Sequence, residues 1–240
     1  VKQDKVQNII DLIDEGNTIP FIARYRKEMT GSCDDQVLRE FNDRLAYLRN
    51  LEKRKEEVAG SITEQGKMTE EIQKALDAAS TLTEVEDIYR PYKQKKKTRA
   101  SVAIEKGLQP LAEFILAQDK NADVKAEAEK YIDAEKGVSS ADEAIEGAKD
   151  IIAEIVSDDA NVRKKLRNLF MKNGEVVTKL VNAEKDEAKT YEMYADYSEL
   201  VPEIKSHRVL AVNRGEKEGY LKVKVTFNEE IAKRIAGAGY

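Results

Sequence analysis

The chain has 240 residues, with 41 Lys+Arg against 46 Asp+Glu for a net charge of −5, one His, one Cys, no Trp and four Pro. A structural zinc site needs about four Cys or His ligands, and Cys33 and His207 are the whole supply; one Cys also rules out an internal disulfide and fits a reducing compartment. Any Ser/His or Cys/His hydrolase would have to route its proton through His207, so triad-type catalysis has a single point of failure.

At 41% apolar and 36% charged residues, against a usual charged share of about 25%, the chain can build a core under strongly solvated helix faces. No apolar run approaches the roughly 20 residues of a membrane span, so a soluble, intracellular protein without a membrane partner is expected. The length suits one large or two modest domains. Opening without Met and already in helical register, the sequence is expected to be a region of a longer chain.

Val6, Ile9, Ile10 and Ile13 predict a first helix, stopped at Gly16-Asn17. Pro20 suits the first turn of a short second helix. Ser32 to Asp35 then caps a long helix with one apolar stripe, Val37, Leu38, Phe41, Leu45, Leu48, Leu51, Val58 and Ile62, which must meet partner helices before Gly66. Thr69 opens a helix bearing Ile72, Ala75, Leu76 and Ala79. Thr83 with Glu86 predicts a capping box for a short helix through Tyr89, ended by Pro91. Residues 92 to 99 form a polar, basic loop, followed by helices from Ala100 to Lys106 and after Pro110.

From Asn121 to Tyr197 the pattern changes. A helix with Val124, Ala128, Tyr131 and Ile132 precedes one capped by Ser140 with Glu143 and bearing Ile145, Ala148, Ile151, Ile152 and Ile155. A third carries Val162, Leu166, Leu169 and Phe170 and closes at Asn173-Gly174. Val176-Val177-Thr178 predicts a strand and Thr190 to Tyr194 a second, although Tyr191, Tyr194 and Tyr197 fit a helical period equally well. Three helices and a hairpin are the plan of a winged helix-turn-helix. Past Pro202, Ser206 is expected to cap a short helix ending at Gly215. Tyr220 to Phe227 alternates as a strand that either pairs with the hairpin or belongs to a sheet outside this chain.

The expected fold is therefore mainly α: a multihelical region over 1–120, a winged helix-turn-helix-like unit over 121–197, and a return helix and strand over 198–240.

Two cationic segments stand out. Arg90, Lys93, Lys95, Lys96, Lys97 and Arg99 form a loop without an intervening acid, dense enough either to displace counterions from a phosphate backbone or to balance acidic neighbours. The third helix of the winged unit carries Arg163, Lys164, Lys165, Arg167 and Lys172, where such helices meet phosphates and base edges, although the same unit also serves as a structural or protein-binding module. Arg24, Tyr25, Arg26 and Lys27 mix a ring with cations as single-strand binding surfaces do, but the reading preferred here packs Tyr25 beneath the long helix and pairs the arginines with acids. The tyrosine stripe is expected in the core. Gly215 to Gly219 lacks the setting of a phosphate loop. No catalytic residue, metal ligand set or cofactor is expected.

Glu15-Gly16-Asn17-Thr18-Ile19-Pro20-Phe21-Ile22-Ala23-Arg24-Tyr25-Arg26-Lys27-Glu28-Met29-Thr30-Gly31 resembles the signature of the Tex family, bacterial transcription accessory proteins. Leu82 to Lys93, Ala100 to Pro110, and Ser206 to Ala211 with Arg214-Gly215-Glu216 agree with it. The resemblance implies a cytoplasmic protein associated with RNA or DNA, similar to a eukaryotic elongation factor that accompanies RNA polymerase. It also implies downstream ribonuclease-H-like, helix-hairpin-helix and OB-fold RNA-binding domains that these residues do not include. Two readings follow. One is a non-catalytic nucleic-acid-binding or scaffold region with modest phosphate contacts; the other is a scaffold docking to polymerase, the ribosome or its own downstream domains.

Overall fold

The computed structural model describes residues 1–238, apart from the side chains of Asp186 and Glu187, so that Gly239 and Tyr240 of the expected last segment lie outside it. The chain divides into two compact units, Val1–Tyr89 and Arg90–Tyr240.

The first unit holds helices α1 (Gln3–Asp14), α2 (Ile19–Tyr25), α3 (Lys27–Thr30), α4 (Asp35–Glu64), α5 (Glu70–Ala78) and α6 (Leu82–Tyr89). Asp34 caps α4 by accepting from the Val37 amide at 2.9 Å, and Gly66 takes a left-handed φ of 67° beyond its end. Ile9, Leu12, Ile22 and Leu38 form one core. Further along α4, Leu51, Val58 and Ile62 are buried, as are Leu76 of α5 and Val85 of α6. The stripe of α4 is only partly covered, since Val37 and Leu48 stay exposed. The cap of α6 is Thr81, not Thr83: its hydroxyl accepts from the Glu84 amide at 3.2 Å, while Glu84 accepts from the Ser80 amide at 2.8 Å. Cap and acid are both displaced by two residues, and the acid reaches the amide of Ser80 in place of the cap's own.

The second unit begins with a 3-10 turn (Arg90–Tyr92) and continues through α7 (Arg99–Glu105), α8 (Gln109–Leu116), α9 (Val124–Glu129), α10 (Ala141–Asp158) and α11 (Ala160–Asn173). Strand β1 (Glu175–Leu180), a 3-10 segment (Asp186–Tyr194), β2 (Asp196–Leu200), α12 (Ser206–Lys217), β3 (Leu221–Thr226) and α13 (Glu229–Gly237) complete it. Helix α10 is the axis of the helical part. Its Ala144, Ala148 and Ile151 share a core with Ala103 of α7, Leu111 of α8 and Ala128 of α9. Small residues on α10 let its neighbours approach, and Gly147 is so close to Leu108 that an added Cβ would lie 2.3 Å from a Leu108 methyl.

The order of three helices and two strands expected for 121–197 is present as α9, α10, α11, β1 and β2. Three details differ. The second strand lies at 196–200, because Tyr191 and Tyr194, three apart, suit a 3-10 turn that buries both rings against Val212 and Leu221. Tyrosines 191 and 194 are thus core residues, as expected. Strand β3 pairs antiparallel with β1, giving the sheet order β2-β1-β3 with Thr178 opposite both Tyr197 and Val223. The alternating strand therefore finds its partner within the chain. Helix α12 runs through Gly215, where a Cβ would come within 2.6 Å of Leu221 and 2.9 Å of Tyr191, so that glycine is there for close packing, and Gly219, at φ 79°, follows the helix end. Ser206 is the first helical residue of α12 rather than its cap; Lys205 precedes it without a side-chain cap bond.

Candidate nucleic-acid interface

The basic loop is tied to one face of α10. Asp150, Glu154 and Asp158 recur every fourth residue and so line a single helix face. Asp158, its side chain only 9% exposed, accepts from Arg90 Nε at 2.8 Å and from Lys95 Nζ. Lys95 also reaches Glu154 at 3.2 Å, and Arg99 lies 3.5 Å from Asp150. A carboxylate taken out of water requires such counter-charges. Burial of Lys95 works against its ammonium, but the hydrogen bonds it donates to Asp158 and Glu154 outweigh it and hold its pKa above the ordinary lysine value.

The remaining loop cations are looser. Lys97 lies 3.7 Å from Glu105 with both side chains largely exposed, and Lys93 and Lys96 are exposed. Among the described residues Lys96 has no hydrogen-bond or ion-pair partner.

Asp159, the single residue between α10 and α11, caps α11 by accepting from the Val162 amide at 2.7 Å. One turn on, Arg163 Nη1 donates to the Ser157 carbonyl at 3.2 Å. The loop and the basic helix therefore converge on the last turn of α10. Lys164 and Lys165 are exposed, whereas Arg163 and Arg167 are half-buried. These two arginines border a groove of about 560 Å³ whose apolar wall includes Val156, Val162, Leu166 and Phe170 and which reaches Ala236 of α13.

In the first unit the structure also corrects the expectation for the Arg24–Lys27 segment. Tyr25 is 59% exposed instead of packed beneath α4. Arg24, Arg26 and Lys27 are exposed too, and among the described residues no carboxylate pairs with them. Helix α2 has seven residues and one buried face, taken by Ile19, Ile22 and Ala23; Tyr25 falls on the other. Cys33 is half-buried, its thiol donating to the Thr30 carbonyl at 3.1 Å. His207 is exposed in the first turn of α12. Among the described residues no group of three or more His, Cys, Asp or Glu is placed to hold a metal ion, and no helix is long and apolar enough to cross a membrane.

The acids on α10 are what a reading by cations alone misses. Their four-residue spacing was visible in the sequence, but a separation of 51 or more positions from their loop partners was not bridged by any local pattern.

Two family models match: one described as Tex-like protein N-terminal domain over residues 1–63, and one described as Tex central region-like over 119–238. The chain is 47% identical to protein YdcI of Bacillus subtilis, covering 94% of this chain and 31% of that protein. It is 41% identical to transcriptional accessory protein Tex of Neisseria gonorrhoeae, covering 94% and 30%. It is 34% identical to human S1 RNA-binding domain-containing protein 1, covering 93% and 23%. The chain thus spans about a third or less of the length of these relatives, and with both family models falling on it, it belongs to the Tex family.

Proposed function

We propose that this chain is a non-catalytic, cytoplasmic nucleic-acid-binding and scaffold region of a transcription accessory protein that acts with RNA polymerase. The observation that carries this reading is the convergence of the basic loop and the basic helix on the last turn of α10. Two relatives support it, one named a transcriptional accessory protein and one named for an RNA-binding domain. A division of labour follows from the ion pairs. Arg90 and Lys95 hold the loop against α10 through Asp158 and Glu154, and Arg99 lies near Asp150 but is largely exposed, while Lys93, Lys96, Lys97, Lys164 and Lys165 are exposed at the surface where phosphates would approach. Arg163 and Arg167 support α11 from its groove side. The helices α9 to α11 with β1 and β2 serve as a winged helix-turn-helix-like platform, α11 being its basic helix.

Phosphate contacts release counterions, so affinity for single-stranded RNA or duplex DNA should fall steeply with salt. Substituting Lys96 and Lys165 by Gln should lower the slope by about one per contact removed. A folded chain that binds neither polymer at low salt would defeat the proposal.

A second reading, docking to polymerase, the ribosome or the rest of its own protein, is favoured by the groove of about 560 Å³ between α10, α11 and α13, whose apolar floor and two arginines suit an acidic amphipathic helix. Copurification with polymerase that survives nuclease treatment, without affinity for nucleic acid, would select it.

A further inference from the structure

Helices α2 and α3 present a surface that the proposed function does not use. Phe21 and Tyr25, one helical turn apart, have ring centroids 5.2 Å from each other at an angle of 46°. The Arg26 guanidinium lies 5.0 Å from the Phe21 centroid and that of Arg24 lies 6.0 Å from the Tyr25 centroid. A single exposed ring needs no explanation. Here a ring 59% exposed sits among three cations that no carboxylate pairs with among the described residues, and Glu28 is the lone acid from Arg24 to Met29.

The adjoining groove, about 620 Å³ between α2 and the start of α4, is bordered by Arg24 and Lys27 on one side and by Asp34 and Asp35 on the other. Both acids are engaged elsewhere: Asp34 caps α4, and Asp35 pairs with Arg39 at 2.5 Å. The α2 side of the groove keeps its positive charge.

We infer that the α2–α3 surface is a binding site for single-stranded nucleic acid, with Tyr25 as a base-stacking platform and Arg24, Arg26 and Lys27 as its phosphate contacts. An acidic peptide would satisfy the cations but place nothing flat on the ring, and a duplex keeps its bases stacked inside. A single strand uses both, a base on the aromatic face and phosphates on the flanking cations. The site shares its ligand class with the function proposed above, but it stands on different residues in the other unit.

The test uses the full 240-residue chain. Because the chain has no Trp, Tyr25→Trp introduces a single indole reporter. An oligouridine of about 10 nucleotides, within the site size such surfaces take, should quench that indole saturably, and an abasic strand of equal length should quench it far less. In fluorescence anisotropy, Tyr25→Ala should weaken oligouridine binding by roughly 5- to 100-fold, the worth of one stacked base. Tyr25→Phe, which keeps the ring, should stay within about twofold, and Arg24→Gln with Lys27→Gln should lower the salt slope by about one to two. Unchanged affinity in Tyr25→Ala would overturn the inference. So would equal quenching by the abasic strand or by polyaspartate, which would assign the surface to any polyanion. If Lys96→Gln and Lys165→Gln abolish binding while Tyr25→Ala does not, the α11 reading survives and this one fails. The reverse pattern upholds this site and removes that one.

Discussion

Two of the cationic segments of this chain, Arg90–Arg99 and Arg24–Lys27, resemble each other in sequence and differ in what surrounds them. From Arg90 to Arg99 three of the cations, Arg90, Lys95 and Arg99, face a ladder of acids on α10, and the best-buried member, Asp158, holds two of them. In the Arg24–Lys27 segment both arginines meet aromatic rings instead of acids. Density of positive charge alone therefore does not mark a binding surface. What separates clamp from platform is whether the protein has already supplied the counter-charge, and that is decided by a helix more than 50 positions away in the first case.

Removing charge should cost much more stability in the first region than in the second. Arg90→Ala with Lys95→Ala leaves the Asp158 carboxylate, 9% exposed, without its counter-charges, and should destabilise the second unit by about 3 kcal/mol in urea denaturation. Arg24→Ala with Lys27→Ala, at solvated positions, should change stability by no more than about 0.5 kcal/mol per site. Similar losses at both places would erase the distinction.

A smaller effect is expected at Gly215, which separates packing from charge as the source of stability. Gly215→Ala should cost about 1–3 kcal/mol through overpacking against Leu221 and Tyr191. Helix propensity alone predicts the opposite sign, so a stabilised variant would contradict the close approach described above.

The smallest effect concerns pH. The Lys95 pKa is raised in the folded state above its unfolded value of about 10.4. Its contribution is therefore complete below that pH and fades as pH rises through the raised value. Wild-type stability should fall more steeply above about pH 10 than that of Lys95→Met, as read by thermal melts across that range. Parallel curves would show that Lys95 adds nothing to the clamp.

Most helices were legible because their caps and apolar spacing are local. Asp34, Thr69 and Ser140 each cap as expected, accepting from Val37, Ile72 and Glu143. The misread features depend on distant partners. Gly215 resembles a helix stop until Leu221 and Tyr191 are seen packed on it. Thr190 to Tyr194 resembles a strand until its two tyrosines are seen buried against α12 and β3. Tyr25 resembles a core residue because an aromatic one turn from another usually packs; nothing local shows that the buried face of a seven-residue helix is already filled by Ile19, Ile22 and Ala23. The candidate site was legible as a set of cations, and their division into clamp and contact was not, since Asp150, Glu154 and Asp158 lie on another helix.

The proposal turns on the exposed Lys96 and Lys165 making phosphate contacts while Arg90, held by Asp158, does not. The most direct measurement is the salt dependence of oligouridine binding for wild type, Arg90→Gln and Lys96→Gln with Lys165→Gln, each confirmed folded. The account predicts a slope unchanged within error for Arg90→Gln and lowered by about one to two for the lysine pair. A slope lowered as much by Arg90→Gln, or left unchanged by the lysine pair, would contradict it.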